Sequence, residues 1–206
     1  MKSGRLVLML TIPLASLSST ACSPEQGVQR PNVVFIFSDQ QHYQAMGFVD
    51  SFYDTPNIDA LAEESVVFEH SFVTTPQCSP SRSSIMTGLY PHKTGMMNNR
   101  GAAGGTELAL PTIGKRLQDS GYLTAFMGKW HLAPQRTDDE QDFYPDRQGF
   151  ELNLGGNGWG GPGRSFFAPY AFPNLVSKTD DEYLPYRIGD EAVDWISARA
   201  DDDEPF

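Results

Sequence analysis

The chain has 206 residues, 39% of them apolar and 12% aromatic, which suffices for a core and excludes a disordered segment. Its 19 glycines and 15 prolines follow no triplet period, so collagen is excluded as well. A net charge of −11 speaks against nucleic acid as a partner. That charge is uneven. Residues 30–131 hold seven basic and nine acidic side chains, whereas residues 180–206 hold ten acidic and two basic. The acidic end reads as a solvated helix face and loop, and room for an anion site remains in the first two thirds.

Met1–Arg5 is a short basic start, and Leu6–Leu17 an apolar run of 12 residues. A membrane-spanning helix needs about 20 apolar residues, so residues 1–21 read as a secretory signal peptide. Ser18, Ser19, Thr20 and Ala21 lead to Cys22, a pattern similar to the bacterial lipobox except that Ser19 stands where an aliphatic residue is usual. Lipidation of Cys22 and ordinary cleavage both remain open. Either way the protein is expected to be exported in a bacterium: to the periplasm, or, if Cys22 is lipidated, as a periplasmic or outer-membrane lipoprotein that touches the membrane only through that anchor. Residues 22–30 are a polar tether, and residues 31–206 form the folded domain. The two cysteines, Cys22 and Cys78, would make an odd staple if joined.

Val33–Phe37 is a continuous apolar run of the kind found in a strand buried on both faces, and it ends at Asp39-Gln40. Thr55-Pro56 has the form of a helix start, with Ile58, Leu61 and Ala62 giving the helix an apolar side. Val66–Val73 is the next expected strand. Helices are predicted over Ser79–Thr87, closed by Gly88, and over Leu110–Ser120, closed by Gly121. Leu123–Met127 is a third buried strand, followed by Gly128-Lys129-Trp130-His131. Residues 154–173, rich in glycine and aromatics, read as an ordered loop, and Ile188–Ala198 as a helix with Ile188, Ala192, Trp195 and Ile196 on one side. The alternation predicts an α/β layered domain whose largely parallel central sheet is flanked by helices.

In such sheets ligands gather at the carboxyl ends of the strands. Asp39 and Gln40 lie past the end of one strand, and Lys129 and His131 past the end of another. Cys78 lies just before a helix whose free N–H groups would favour an anion and a thiolate. An oxygen-ligand pair, a reactive sulfur and the cationic donors Arg82, Lys129 and His131 thus meet at one edge. Together they suit a metal-assisted attack on an anionic ester. Taken alone, each has a plain structural reading: Cys78 as a small buried hydrophobe, Asp39 and Gln40 as turn residues, Lys129 and His131 as surface residues. His92 is open between orienting the site and lying in a turn. His42 and His70 read as structural, and the loop at 154–173, with Asn157 and Trp159, is open between packing and a substrate wall.

Cys78-Ser79-Pro80-Ser81-Arg82 matches the Cys-x-Pro-x-Arg signature of the sulfatases, and Thr87–His92 continues it. Gly121–His131 resembles their second signature, Asn32–Gln40 their metal-binding opening, and Gly149–Tyr170 and Tyr183–Phe206 the stretches that follow. The chain thus resembles the formylglycine-dependent sulfatases of the alkaline phosphatase superfamily over nearly everything after the tether. The resemblance implies an alkaline-phosphatase-like fold, incomplete at the C-terminus. It also implies that a maturation enzyme, recognising Pro80 and Arg82, oxidises Cys78 to formylglycine. One oxygen of the hydrated aldehyde would attack sulfur, and the second hydroxyl would expel sulfate. Asp39, Gln40 and the modified Cys78 would ligate calcium; Arg82 would hold the diol; Lys129 and His131 would bind sulfate, with His131 assisting the elimination. The expected substrates are sulfate esters of carbohydrates, polysaccharides or aryl compounds.

Two departures stand out. Many members carry paired aspartates where this chain has Asp39-Gln40, which removes one negative charge from the metal site. An Asp-Gln pair also occurs in some choline-type sulfatases and in the related phosphonate monoester hydrolases, so phosphonate monoester or phosphodiester hydrolysis is the alternative within the superfamily. The chain also stops where the family enters another core strand, before its remaining metal ligands and a further His and Lys. A fragment of a longer gene product is expected, inactive by itself, and a non-catalytic exported remnant is the alternative of another class.

Overall fold

The structure, a computed structural model, describes residues 30–99, 111–133, 140–163 and 165–206. The expected signal peptide (residues 1–21), Cys22 and nearly all of the expected tether lie outside the described residues. Helix α1 (Pro56–Glu63) starts where Thr55-Pro56 predicts. The Thr55 side chain does not cap its own helix; its Oγ1 donates to Asp59 Oδ1 (2.7 Å) and accepts from the Gly47 N–H (2.7 Å). Asp59 Oδ1 also accepts from the Phe48 N–H, so the pair staples the preceding turn onto the helix.

Helix α2 (Cys78–Thr87) begins one residue earlier than predicted, so Cys78 is its first residue rather than its forerunner. Gly88 closes it in the left-handed conformation (φ 73°), a backbone that glycine adopts without steric cost. Its small side chains let it sink: Ser79 through Ser84 and Met86 are all buried. The short α3 (Pro91–Thr94) follows. Helix α4 (Ile113–Asp119) is capped by Thr112, whose Oγ1 accepts from the Lys115 N–H (3.1 Å) and donates to the Gln148 carbonyl.

Strand β1 (Ala125–Met127) pairs in parallel with β2 (Leu152–Leu154), in the register Ala125↔Leu152, Phe126↔Asn153 and Met127↔Leu154. β2 was not legible in the sequence, because three residues before Gly155-Gly156 carry too little alternation. Two predicted strands do not form as such among the described residues. Val33–Phe37 joins no ladder and Ile36 is 86% exposed; only the Val33 N–H finds a backbone acceptor, at Phe206 O (2.6 Å). Phe35 and Phe37 stack at 5.9 Å on the same side, as residues two apart in an extended chain do. Val66–Val73 likewise has no ladder, and Phe72 is 90% exposed. Apolar content makes a segment able to be a strand, but a strand exists only where neighbours accept its hydrogen bonds.

Helix α5 (Leu184–Ser197) starts four residues before the predicted Ile188, and the predicted apolar side is half-buried. Pro205 O accepts from the Leu123 N–H (2.9 Å), so the 205–206 segment lies between Leu123 and Val33. The core joins Met86 and Met96 to Trp130, Leu132, Tyr144 and Phe150. Phe126, Trp130 and Phe150 meet edge to face with centroids 5.1–6.1 Å apart, and Trp130 Nε1 donates to Phe143 O. The core therefore sits directly beneath the segment that carries Lys129 and His131. Among the described residues no helix is long and apolar enough to cross a membrane.

Gly149 ties α4 to β2. It has φ 92°, and a Cβ there would lie 2.3 Å from the backbone N and Cα of Lys115. Gly149→Ala is expected to destabilise the protein by about 3 kcal/mol or more, combining left-handed strain with a backbone collision that no rotamer relieves. A fall in the urea midpoint checks this, and an unchanged midpoint contradicts it.

Candidate active site

Three segments distant in sequence deliver the site. The chain after Phe37 brings Asp39, the first turns of α2 bring Cys78 and Arg82, and the turn after β1 brings Lys129 and His131. Cys78 and Arg82 share a face of α2 because they are four residues apart. Lys129 is the hub. Its Nζ donates to Asp39 Oδ2 at 2.6 Å and to Cys78 Sγ at 3.3 Å. Arg82 Nη2 stands 3.8 Å from the same Asp39 oxygen, while Nη1 donates to the Lys129 carbonyl. The Arg82 guanidinium also lies over the Phe37 ring, 5.1 Å from its centroid, which links the Asp39 segment to α2.

Burial differs sharply within the cluster. Arg82 is buried, Cys78 half-buried and Asp39 exposed. Burial lowers the Arg82 pKa, with Asp39 and Cys78 opposing. Burial, followed by the positive charges of Lys129 and Arg82, pushes the His131 imidazole down to about 4, against a smaller upward pull from Asp39. His131 is therefore neutral at pH 7, which corrects the expectation that it serves as a cationic donor. The His131 pKa is depressed on folding, so its share of stability is full above about pH 6.5 and is lost as pH falls toward 4. His131→Asn, which tolerates the left-handed backbone here (φ 59°), is expected to flatten the stability loss between pH 6.5 and 4.5. Urea midpoints at the two pH values check it; equal slopes in both proteins would contradict it.

A second expectation is narrowed. At the start of α2 the Ser79 N–H donates to Asn99 Oδ1 (3.1 Å), Pro80 has none, and the Ser81 N–H bonds to Gln77 O, which leaves the Cys78 N–H as the one helix-start donor an anion could use. The helix dipole remains, and the side-chain anion donors here are Lys129 and Arg82.

Gln40 follows Asp39 in the left-handed conformation (φ 57°) and is exposed, outside the contacts that join Asp39, Cys78, Arg82 and Lys129. His92 is exposed and stacks on Tyr90 at 6.0 Å, as a turn residue would. His42 accepts from the Gln44 N–H, and His70 is exposed; neither joins the cluster. Asn157, by contrast, is fully buried beside the site, and its carbonyl accepts from the His131 N–H (3.0 Å).

Among the described residues no group of three His, Cys, Asp or Glu is placed to hold a metal ion. The donor chemistry can still be tested against calcium. Asp39 and Gln40 offer a carboxylate and an amide oxygen, both hard donors that suit it. Cys78 offers sulfur, a soft donor that does not; only an oxygen in its place would fit. Asp39 and Gln40 thus fit as two ligands of a larger oxygen set.

The family model for sulfatases matches residues 31–206. An ulvan-active sulfatase of Formosa agariphila is 34% identical over 210 residues, covering 98% of this chain and 39% of that protein. An N-acetylglucosamine-6-O-sulfatase of Bacteroides thetaiotaomicron is 35% identical over 136 residues, covering 66% of this chain and 24% of that protein. Among solved structures, Ps i-CgsB in complex with k-i-k-neocarrahexaose superposes with a TM-score of 0.68 at 28% identity, covering 86% of this chain and 44% of that one. The chain therefore spans less than half the length of these relatives, and its parallel pair and helices are part of their α/β fold.

Proposed function

The chain belongs to the sulfatase family, and from that premise we propose that it carries the nucleophile side of a sulfatase centre that hydrolyses sulfate esters of carbohydrates. One observation carries the proposal: Lys129 Nζ lies within reach of both Asp39 and Cys78, with Arg82 beside them. A sulfate monoester brings a single negative charge spread over three oxygens. Lys129 and Arg82 provide two fixed cations at one spot, the arrangement that stabilises charge on a transferring group. Arg82, braced by the Lys129 carbonyl and the Phe37 ring, needs little reorganisation to do so.

The thiol at position 78 is expected to be oxidised to formylglycine by a maturation enzyme. When present, that group supplies as its hydrate an oxygen nucleophile and a second hydroxyl for releasing sulfate. Calcium, if bound, would be held by Asp39 and Gln40 together with oxygen at position 78, and would neutralise charge there. His131 enters neutral and can accept a proton. A sulfate held by Lys129 would raise its affinity for that proton, since a nearby negative charge favours the imidazolium.

The sulfated-carbohydrate substrate class is supported by the names of the relatives, an ulvan-active sulfatase and an N-acetylglucosamine-6-O-sulfatase. The basic and apolar pattern of residues 1–17 supports export, and Cys22 a lipid anchor at the periplasmic or outer-membrane face. The test is a hydrolysis assay on the protein prepared from its own host, offering sulfated oligosaccharides beside phosphonate monoesters and phosphodiesters. Release of sulfate alone supports the reading. Preferential cleavage of the phosphorus esters, which the Asp39-Gln40 pair leaves open, overturns it.

A further inference from the structure

The glycine-rich segment after β2 does more than close the fold, because it lies against the imidazole of the site. His131 has a left-handed backbone (φ 59°), and its N–H is fixed by the Asn157 carbonyl at 3.0 Å. Asn157 is 1% exposed, and its own Oδ1 accepts from the Trp159 N–H at 2.7 Å, which turns the chain back over the ring. There Gly160 meets it. A Cβ on Gly160 would stand 2.8 Å from His131 Cε1, 3.1 Å from Nε2 and 3.3 Å from Nδ1. All three near atoms belong to the imidazole, so the contact is with the ring itself. The ring has little freedom to yield, since His131 is 6% exposed between the buried Trp130 and Leu132. The neighbouring Gly161 is the opposite case: a Cβ there meets nothing within 4 Å.

We propose that the Asn157–Gly160 turn is a positioning device for His131, in which the Asn157 carbonyl holds the backbone and the bare Gly160 backbone seats the ring. The glycine is required at 160 for closeness, and its φ plays no part. The inference rests on the reading of His131 as the proton-handling group of a sulfatase. Gly160 and Asn157 touch no substrate in this scheme and act only through His131.

The experiment compares Gly160→Ala with Gly161→Ala in the protein as its own host produces and matures it, with the whole gene product expressed, each with and without His131→Gly, which removes the ring and accepts the left-handed backbone. Gly160→Ala is expected to lower kcat on the sulfate ester by about 10- to 100-fold with KM changed less than about threefold, because small displacements of a reacting group cost that much. Gly161→Ala is expected to stay within about threefold of the parent. In the His131→Gly background, Gly160→Ala is expected to cost nothing further. Equal losses for both glycine variants, or a Gly160→Ala loss that multiplies with that of His131→Gly, would overturn the proposal.

A readout independent of turnover separates failure of this inference from failure of the functional reading. The His131 Cε1–H resonance is expected to move in Gly160→Ala and to stay in place in Gly161→Ala. If the parent cleaves no sulfate ester and the resonance still moves, the functional reading fails and the positioning contact stands. A resonance unmoved in both variants overturns the contact. Should Gly160→Ala unfold, its melting temperature is expected to recover once His131→Gly removes the ring, and no recovery would overturn the contact equally.

Discussion

Cys78→Ser is expected to abolish multiple turnover of sulfate esters, with a loss of about 10⁴-fold or more, the scale on which removing a nucleophile acts. The substitution is nearly isosteric and keeps a group at the first position of α2 that Lys129 Nζ can reach, so binding of substrate should change little. On the proposed formylglycine reading, what it removes is the second hydroxyl of the hydrate. A serine can accept a sulfuryl group once, through its single oxygen, and then has no proton left on that carbon's oxygen with which to expel sulfate. Pre-steady-state kinetics should show at most one equivalent of alcohol released, with no continued production of sulfate. A variant that turns over at more than a hundredth of the parent rate would contradict the account. Stability should be preserved, because Cys78 is half-buried and contributes no core contact.

Lys129→Ala is the second large effect. It removes the cation that lies 2.6 Å from Asp39 and 3.3 Å from Cys78, and a fall in kcat/KM of about 10²–10³-fold is expected, as for one donor of an anion-stabilising site. Asp39 keeps Arg82 at 3.8 Å and is 39% exposed at its side chain, so water can solvate what the lysine leaves. The cost in stability is therefore expected to stay within about 1 kcal/mol, the range of exposed ion pairs. Lys129→Arg should rescue poorly, because a planar fork cannot replace a compact ammonium that serves a carboxylate and a neighbouring group at once. Steady-state kinetics beside urea unfolding separates the two effects. A stability loss large enough to account for the activity loss would contradict a role in the chemistry.

Local chemistry made part of this architecture legible. Thr55-Pro56 announced α1, Gly88 ended α2, and the apolar run before Gly128 gave β1, because caps and breakers act within a few residues. The sequence placed Asp39, Cys78, Arg82, Lys129 and His131 at one edge because parallel strands present their carboxyl ends together. In the structure only Lys129 and His131 follow a strand, β1, and Asp39 reaches Cys78 and Arg82 through Lys129 and its own ion pairs. What stayed hidden depends on partners distant in sequence. Val33–Phe37 and Val66–Val73 have strand-like composition but join no ladder among the described residues, and β2 was too short to announce itself. The charge state of His131 follows from burial beside two cations, which no spacing reveals. Gly160 looked like one glycine of many in a loop, and only the packing singles it out from Gly161.

On the proposed function, Cys78 becomes the oxygen nucleophile of a sulfatase site. The most direct test is mass spectrometry of the peptide that contains Cys78, from protein made in its own host. The account predicts a mass deficit matching conversion of the thiol to an aldehyde. An unmodified thiol, in a host that matures its other sulfatases, would contradict it and leave a sulfatase relative whose site cannot act.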